Sequence, residues 1–265
     1  MLISGAEIAE KIYKKLESEK TLEGKRVCFV SFLESAVSRT FMEKKKKVAE
    51  RLGMAAEIRE EKADTTEEAE KIIGSIAKEN FDGVVIQLPL PKNFDTQKVL
   101  DALPENQDID ILGTKAKESY RKGLTKRIPP VASAILEIFK EHRVDVAGRH
   151  ITLLGKGRLV GEPVAFLFEK LGVRYDNFDI NSSQEDMMND LEKADIVISG
   201  IGKPHFIKPE MIKNGVVLID AGTSESEGKL VGDVDPECAA KASFMTPVPN
   251  GVGPITIAVL FQNLC

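Results

Sequence analysis

HITLLGKGRLVGEPVAFLFEKLG (150–172) reads as a strand, a glycine-rich turn and a helix. HITLL is apolar throughout its centre, whereas PVAFLFEKL repeats its apolar residues at helical spacing. Between them Gly155, Gly157 and Gly161 spell G-x-G-x-x-x-G, one residue longer than the commoner dinucleotide fingerprint. A turn without Cβ atoms lets backbone N–H groups approach a pyrophosphate, and the positive end of the following helix favours the anion. The next strand, RYDNFD (174–179), closes on Asp179, where a carboxylate can accept hydrogen bonds from the adenosine ribose hydroxyls. The alternative is an ordinary strand-to-helix turn with a solvated Asp, but the context on both sides favours a nicotinamide dinucleotide. Asp179 would repel the 2′-phosphate of NADP, so NAD is expected over NADP unless Arg158 or Arg174 reaches over the ribose.

Outward from this stretch the same alternation recurs. RVCFVSF (26–32), AAEIRE (55–60) and GVVIQL (83–88) read as strands, separated by helical patterns at 5–20, 37–53 and 65–79. A second series has a helix near 131–144 and strands at 150–155, 174–179, 195–200 and 216–222. The expectation is an α/β protein of two domains: an N-terminal βαβ-type parallel-sheet catalytic domain over 1–128 and a Rossmann-like domain over 129–252, with a cleft between them. The polar stretch PENQDIDILGTKAKESYRKGLTKRIPP (104–130) reads as the connection. The apolar segment 253–265 is expected to be a helix packing back on the first domain.

The 265 residues are 42% apolar and 30% charged, which excludes a disordered or fibrous chain. A formal charge of −5 lacks the basic excess of a nucleic-acid binder. No apolar run approaches the ~20 residues of a membrane helix, and the first residues become charged too early for a secretory signal, so a cytoplasmic protein is expected. Cys28, Cys238 and Cys265 suggest neither a disulfide framework nor a zinc site. His142, His150 and His205 are too scattered to suggest a local ligand pair, and no metal is expected.

Within the run 44–47 one lysine stands apart. At 100° per residue Phe41, Val48 and Leu52 fall within about 40° of one another with Lys45 beside them, while Lys46 and Lys47 point away. An ammonium among apolar neighbours loses hydration and shifts toward its neutral form, which makes Lys45 a candidate general base; a snorkelling lysine is the alternative. Gln87 ends the strand GVVIQ at the carboxyl edge, where open α/β sheets bind ligands, and its amide can orient Lys45 or merely close the strand.

These segments together resemble the bifunctional methylenetetrahydrofolate dehydrogenase/methenyltetrahydrofolate cyclohydrolase family. The carrying strings are SRTFMEKK (38–45), VVIQLPLPKN (84–93), QDIDIL (107–112), GKGRLVGEPVA (155–165), GIGKPHFI (200–207), VVLIDAGT (216–223), KLVGDVD (229–235) and TPVPNGVGPIT (246–256). The resemblance implies Lys45 as catalytic lysine, Gln87 as its activating partner and Asp110 as the carboxylate that holds the pterin, with Asp108 competing for that role. It further implies Ser38, Phe41, Pro249, Gly251, Gly253 and Pro254 at the folate, and Gly155, Lys156, Gly157, Arg158, Val160, Gly161, Asp179, Gly200, Gly222 and Thr223 at NAD or NADP, the latter being more usual in the family. A role in one-carbon metabolism and purine biosynthesis, and a homodimer, follow from the resemblance alone.

The chain departs from the family pattern at several points. Phe41 stands where the family usually has Tyr, which retains a ring for stacking but removes a hydroxyl. A dehydrogenase with weak or absent cyclohydrolase activity is therefore an alternative, and a non-catalytic folate- or nucleotide-binding relative is another. Ile111 replaces a Gly and is expected to alter the backbone near the pterin. Asn250 also replaces a Gly but tolerates positive φ. Gly157 replaces a common Ser, Val131-Ala132 stands for Thr-Pro, and the loop 31–37 lacks Gly-x-x-Pro.

Overall fold

Every residue of β1 (Arg26–Ser31) after the first is buried, which marks a strand covered on both faces. It is the middle of a three-stranded parallel sheet, with β2 (Ala55–Glu60) and β3 (Gly83–Ile86) beside it in the order β2-β1-β3. Parallel neighbours require crossover helices, here α2 (Ala36–Arg51) and α3 (Thr66–Ile76). Both start on a hydroxyl cap: Ser35 accepts from the Ser38 N–H and Thr65 from the Glu68 N–H. Cys28, Val30, Val84 and Ile86 meet Ala69, Ile73 and Ile76 of α3 in one core, which extends to Val99 and Leu100 of α4 (Thr96–Asp101).

This computed structural model describes residues 1–226 and 229–265. They form two compact units, one of residues 11–130 with 257–265 and one of residues 1–10 with 131–256. Two of the unit bounds fall inside α1 (Gly5–Glu19) and α9 (Val252–Gln262), and the third falls between Pro130 and Val131.

The stretch read as a connection contains α5 (Thr114–Arg121). Its periodicity is hidden because Ala116 and Tyr120 are the only residues it buries, and its start is held from outside by Asp101, which accepts from the Thr114 N–H and hydroxyl.

The second unit is a five-stranded parallel sheet in the order β10-β7-β6-β4-β5, comprising β4 (Ile151–Leu154), β5 (Asp176–Phe178), β6 (Ile196–Ser199), β7 (Val217–Asp220) and β10 (Phe244–Met245). Strands β4 and β6 are wholly buried. From β4 the chain goes through α7 (Gly161–Leu171) to β5 on one side, then through α8 (Gln184–Leu191) to β6 on the other. The reversal between β4 and β6 opens a crevice at their carboxyl ends, the usual ligand position in such sheets. A short antiparallel pair, β8 (Ser224–Ser226) and β9 (Lys229–Val231), follows β7, and α6 (Pro130–Glu141) precedes β4.

Candidate active site and dinucleotide site

In the first unit α2 buries Ser38, Met42 and Ala49 and leaves Phe41, Lys45 and Val48 half-buried on its flank. Lys45 is therefore at the edge of the packed stripe, not at its middle. Lys44 and Lys47 are exposed, as expected. Lys46 differs from expectation, being half-buried, with its ammonium 3.9 Å from Glu50 one turn on. The helix packs against β2 as well as β1, so two of its flanks are partly covered.

Lys45 Nζ donates to Gln87 Oε1 at 3.1 Å. The Gln87 amide is oriented by its other end, since Nε2 donates to the Leu88 carbonyl at 2.7 Å, leaving the oxygen for the lysine. Its backbone N–H is in turn held by the Val30 carbonyl at 2.7 Å, so Gln87 extends the sheet pairing one residue past β3. Burial drives the Lys45 ammonium below its ordinary range, opposed by the Asp110 charge. Burial raises the Asp110 carboxyl, opposed by Lys45. The pair therefore leans toward a neutral amine beside a carboxyl group.

The two candidate aspartates have separate roles. Asp108 is consumed by the backbone: Oδ1 accepts from the Ile111 N–H at 2.8 Å, and Oδ2 from Leu112 at 3.0 Å and Gly113 at 2.8 Å. Burial pushes its carboxyl up to about 6 in spite of those donors. Asp110, half-buried, receives no such hydrogen bond among the described residues. Immediately after Asp110, Ile111 takes φ 58°, the left-handed conformation that a Gly adopts without cost. Ile111 holds this strained conformation with its side chain packed in the core, 2% exposed.

Sequence reading missed Asn263. It is 7% exposed. Its Nδ2 donates to the Ile109 and Ile128 carbonyls, both at 2.9 Å, and its Oδ1 accepts from the Ile128 N–H at 3.1 Å. One side chain thereby ties down both ends of the segment that carries Asp110. A lone Asn near the end of an apolar helix offers no motif by which to find it.

In the second unit the glycines of the fingerprint have distinct uses. Gly155 takes φ 110°, and a Cβ there would stand 2.8 Å from the Gly200 carbonyl oxygen. A Cβ on Gly161 would fall 2.0 Å from the Gly155 oxygen, and one on Gly200 2.5 Å from Val160. These three let the turn after β4, the start of α7 and the end of β6 close together. A Cβ on Gly157, by contrast, would meet no atom within 4 Å, so this corner of the turn is open to a ligand. Val160 caps α7 without a side-chain hydrogen bond, and Glu162 lies in the helix's first turn.

Asp179 follows β5. Hydrogen bonds from the Asn181 N–H and Ser182 hydroxyl, together with the Lys156 charge, keep its carboxyl below the usual range, the Asn181 N–H acting most strongly. Lys156 brings its ammonium to 3.7 Å from the Asp179 carboxylate.

Another set of residues was visible in the sequence only as parts of motifs. Asp220 ends β7 and Asp233 follows β9, 2% and 0% exposed respectively. Gly222 and Gly232 leave room for their carboxylates, since a Cβ at either would collide with one. Thr223 is exposed beside them. Of the residues assigned to folate by resemblance, Ser38, Phe41, Lys45, Gln87 and Asp110 fall in the unit of 11–130. Pro249, Gly251, Gly253 and Pro254 fall in that of 131–256, where Asn250 takes φ 79° and accepts from the Gly5 N–H at 2.8 Å. His150, read singly in the sequence, has Nε2 2.7 Å from Asp190, with Asp176 nearby. Thr152 also donates to Asp190, at 2.5 Å.

Known proteins are similar to this chain. Residues 3–110 match the "Tetrahydrofolate dehydrogenase/cyclohydrolase, catalytic domain" and residues 129–265 its "NAD(P)-binding domain". The chain belongs to the tetrahydrofolate dehydrogenase/cyclohydrolase family. Among relatives of this family, the bifunctional protein FolD of Nautilia profundicola is 34% identical over 99% of this chain and 95% of its own length. That of Clostridium novyi is 34% identical over 98% and 94%. Among solved structures, the bifunctional FolD of Campylobacter jejuni superposes with a TM-score of 0.91 at 27% identity, covering 100% of this chain and 96% of that one. The Trypanosoma brucei enzyme, complexed with NADP and an inhibitor, gives 0.91 at 28%, covering 100% and 95%.

Proposed function

We propose that this protein oxidises 5,10-methylenetetrahydrofolate with a nicotinamide dinucleotide and hydrolyses the methenyl product to 10-formyltetrahydrofolate, in one-carbon metabolism. The observation that carries this reading is the Lys45–Gln87 hydrogen bond with Asp110 charge-coupled to the lysine, in the unit that matches the family's catalytic domain. Asp110 holds the amino-pyrimidinone edge of the pterin, whose parallel N–H groups suit a carboxylate, and Phe41 offers its ring face. In the hydrolytic step water attacks the methenyl carbon and Lys45 takes one of its protons; the C–N5 bond then breaks as the hydroxyl becomes the formyl C=O, and the hydroxyl's remaining proton passes to N5. A cationic folate nearby further favours the neutral amine.

Residues 1–128 with the last helix carry the folate chemistry in this reading, and 129–252 the dinucleotide. The dinucleotide supplies the hydride acceptor. Gly155, Lys156, Gly157, Arg158, Val160 and Gly161 would hold its pyrophosphate, Gly200, Gly222 and Thr223 its far half, and Asp179 its ribose, which favours NAD over NADP. The folate contacts include Ser38 and the Pro249, Gly251, Gly253 and Pro254 loop. A cytoplasmic homodimer supplying purine biosynthesis follows from family resemblance.

The test is an absorbance time course with methylenetetrahydrofolate and either NAD or NADP, followed by decay of the methenyl species with and without protein. Dinucleotide-dependent formation and protein-accelerated decay are expected. Formation without accelerated decay would leave a dehydrogenase that has lost its second reaction, with Phe41 as the first suspect. Absence of both would overturn the reading.

A further inference from the structure

Resting on the dinucleotide reading above, the geometry points to Asp233 as a positioning residue that sets the nicotinamide half of the cofactor for hydride transfer. With Asp179 after β5 at the adenosine ribose and the pyrophosphate at the turn after β4, the other half extends toward the ends of β6 and β7. Those ends are Ser199 and Asp220, which pair in register. The loops that follow them carry Gly200, Ile201 and Lys203 on one side and Gly222 on the other.

Asp233 holds the first of these loops from beneath. Oδ2 accepts from the Ser199 hydroxyl at 2.8 Å and the Ile201 N–H at 2.9 Å, and Oδ1 from the Lys203 N–H at 2.8 Å. Asp220 holds the second loop: Oδ1 accepts from Gly222 at 3.0 Å and from the Asp233 N–H at 3.2 Å, while Oδ2 accepts from Val234 at 2.9 Å. The two carboxylates thus form one chain of contacts joining the loops after adjacent strands. None of these donors belongs to the turn of 155–161 or to Asp179. The device acts on one half of the dinucleotide, and a small displacement of a reacting ring costs rate more than affinity.

The test uses Asp233→Asn, which keeps the shape but presents an amide group where one of the acceptors stood, and Ser199→Ala, which removes a single donor. Hydride transfer should fall about tenfold or more in kcat for Asp233→Asn, and by a smaller factor for Ser199→Ala. The primary deuterium isotope effect from labelled methylenetetrahydrofolate should rise toward its full value. ADP-ribose, which lacks nicotinamide, should bind by calorimetry within about twofold of wild type, and dinucleotide-free methenyl hydrolysis should be equally unaffected. Unchanged kcat in both variants would overturn the proposal, as would hydrolysis and ADP-ribose affinity falling in step with it, the mark of a merely structural role. If Asp233→Asn does not fold, Ser199→Ala decides by the same readouts. Failure of wild-type protein to bind ADP-ribose would instead remove the dinucleotide reading, and the proposal with it.

Discussion

Lys45 and Gln87, 42 residues apart in the chain, meet through a 3.1 Å hydrogen bond whose acceptor is fixed by the amide's second contact, to the Leu88 carbonyl. A general base contributes about 10²–10⁴-fold, so Lys45→Met should lower methenyl hydrolysis by at least about a hundredfold. Lys46→Ala, which loses a long contact from a half-buried ammonium to the exposed Glu50, should stay within about twofold of wild type, since a solvent-accessible pair of this kind contributes little. Equal losses in the two variants would refute the assignment of the base.

The same contact predicts a pH effect. Activity should rise as Lys45 loses its proton, at a pH below the ordinary lysine range because burial lowers its pKa. Gln87→Glu puts a carboxylate against the ammonium and favours the charged form, so the rise in hydrolysis should move to higher pH. A profile unmoved by this change would separate Gln87 from the titration of Lys45.

Asp179→Ser should shift the ratio of catalytic efficiencies toward NADP by about tenfold or more. The carboxylate that repels a 2′-phosphate is then gone, while Lys156, 3.7 Å from it in the wild type, becomes free to meet the phosphate. Steady-state kinetics with both dinucleotides measures this directly, and an unchanged ratio would show that Asp179 does not read the ribose.

Asp220 is raised to about 7, chiefly by burial, against three backbone N–H donors. A carboxyl whose folded pKa lies above its unfolded value binds its proton more tightly in the native state. Its contribution therefore stabilises the fold at low pH and is lost as pH rises from about 4 through about 7. Thermal melts of wild type and Asp220→Asn should diverge across that window, the wild type losing ground by on the order of 1–4 kcal/mol. Parallel curves would mean that the carboxyl titrates as it does in the unfolded chain.

At Ile111 two effects oppose each other. Left-handed backbone costs a non-glycine residue roughly 1–2 kcal/mol, while removing a buried Ile side chain costs roughly 2–5 kcal/mol. Ile111→Gly should therefore destabilise the protein by about 1–3 kcal/mol despite relieving the strain. Denaturant unfolding tests this, and a gain in stability would show that backbone strain outweighs side-chain packing at this position.

The strands and helices were legible where period and length were strong, as in VVLIDAG and PVAFLFEKLG. The fingerprint could be placed because its glycines lie between two such elements. α5 was not legible because two buried residues in eight do not make a periodic signal. Between Asp108 and Asp110 the resemblance favoured Asp110, but residue type alone did not separate two acidic side chains two residues apart. Only the three backbone donors on Asp108 separate them. Asp220 and Asp233 carried a weak sign, charged residues set in apolar strings, but nothing in their spacing said that Asp220 would anchor the loop after its own strand and Asp233 the loop after β6.

Asn263 makes the tail of this chain a fastener for a segment more than a hundred residues upstream. Without Asn263 the carbonyls of Ile109 and Ile128 would lose their donor and the loop bearing Asp110 its anchorage. A cut or a fusion that pulls Asn263 away would thus disturb Asp110 from a distance, without touching it.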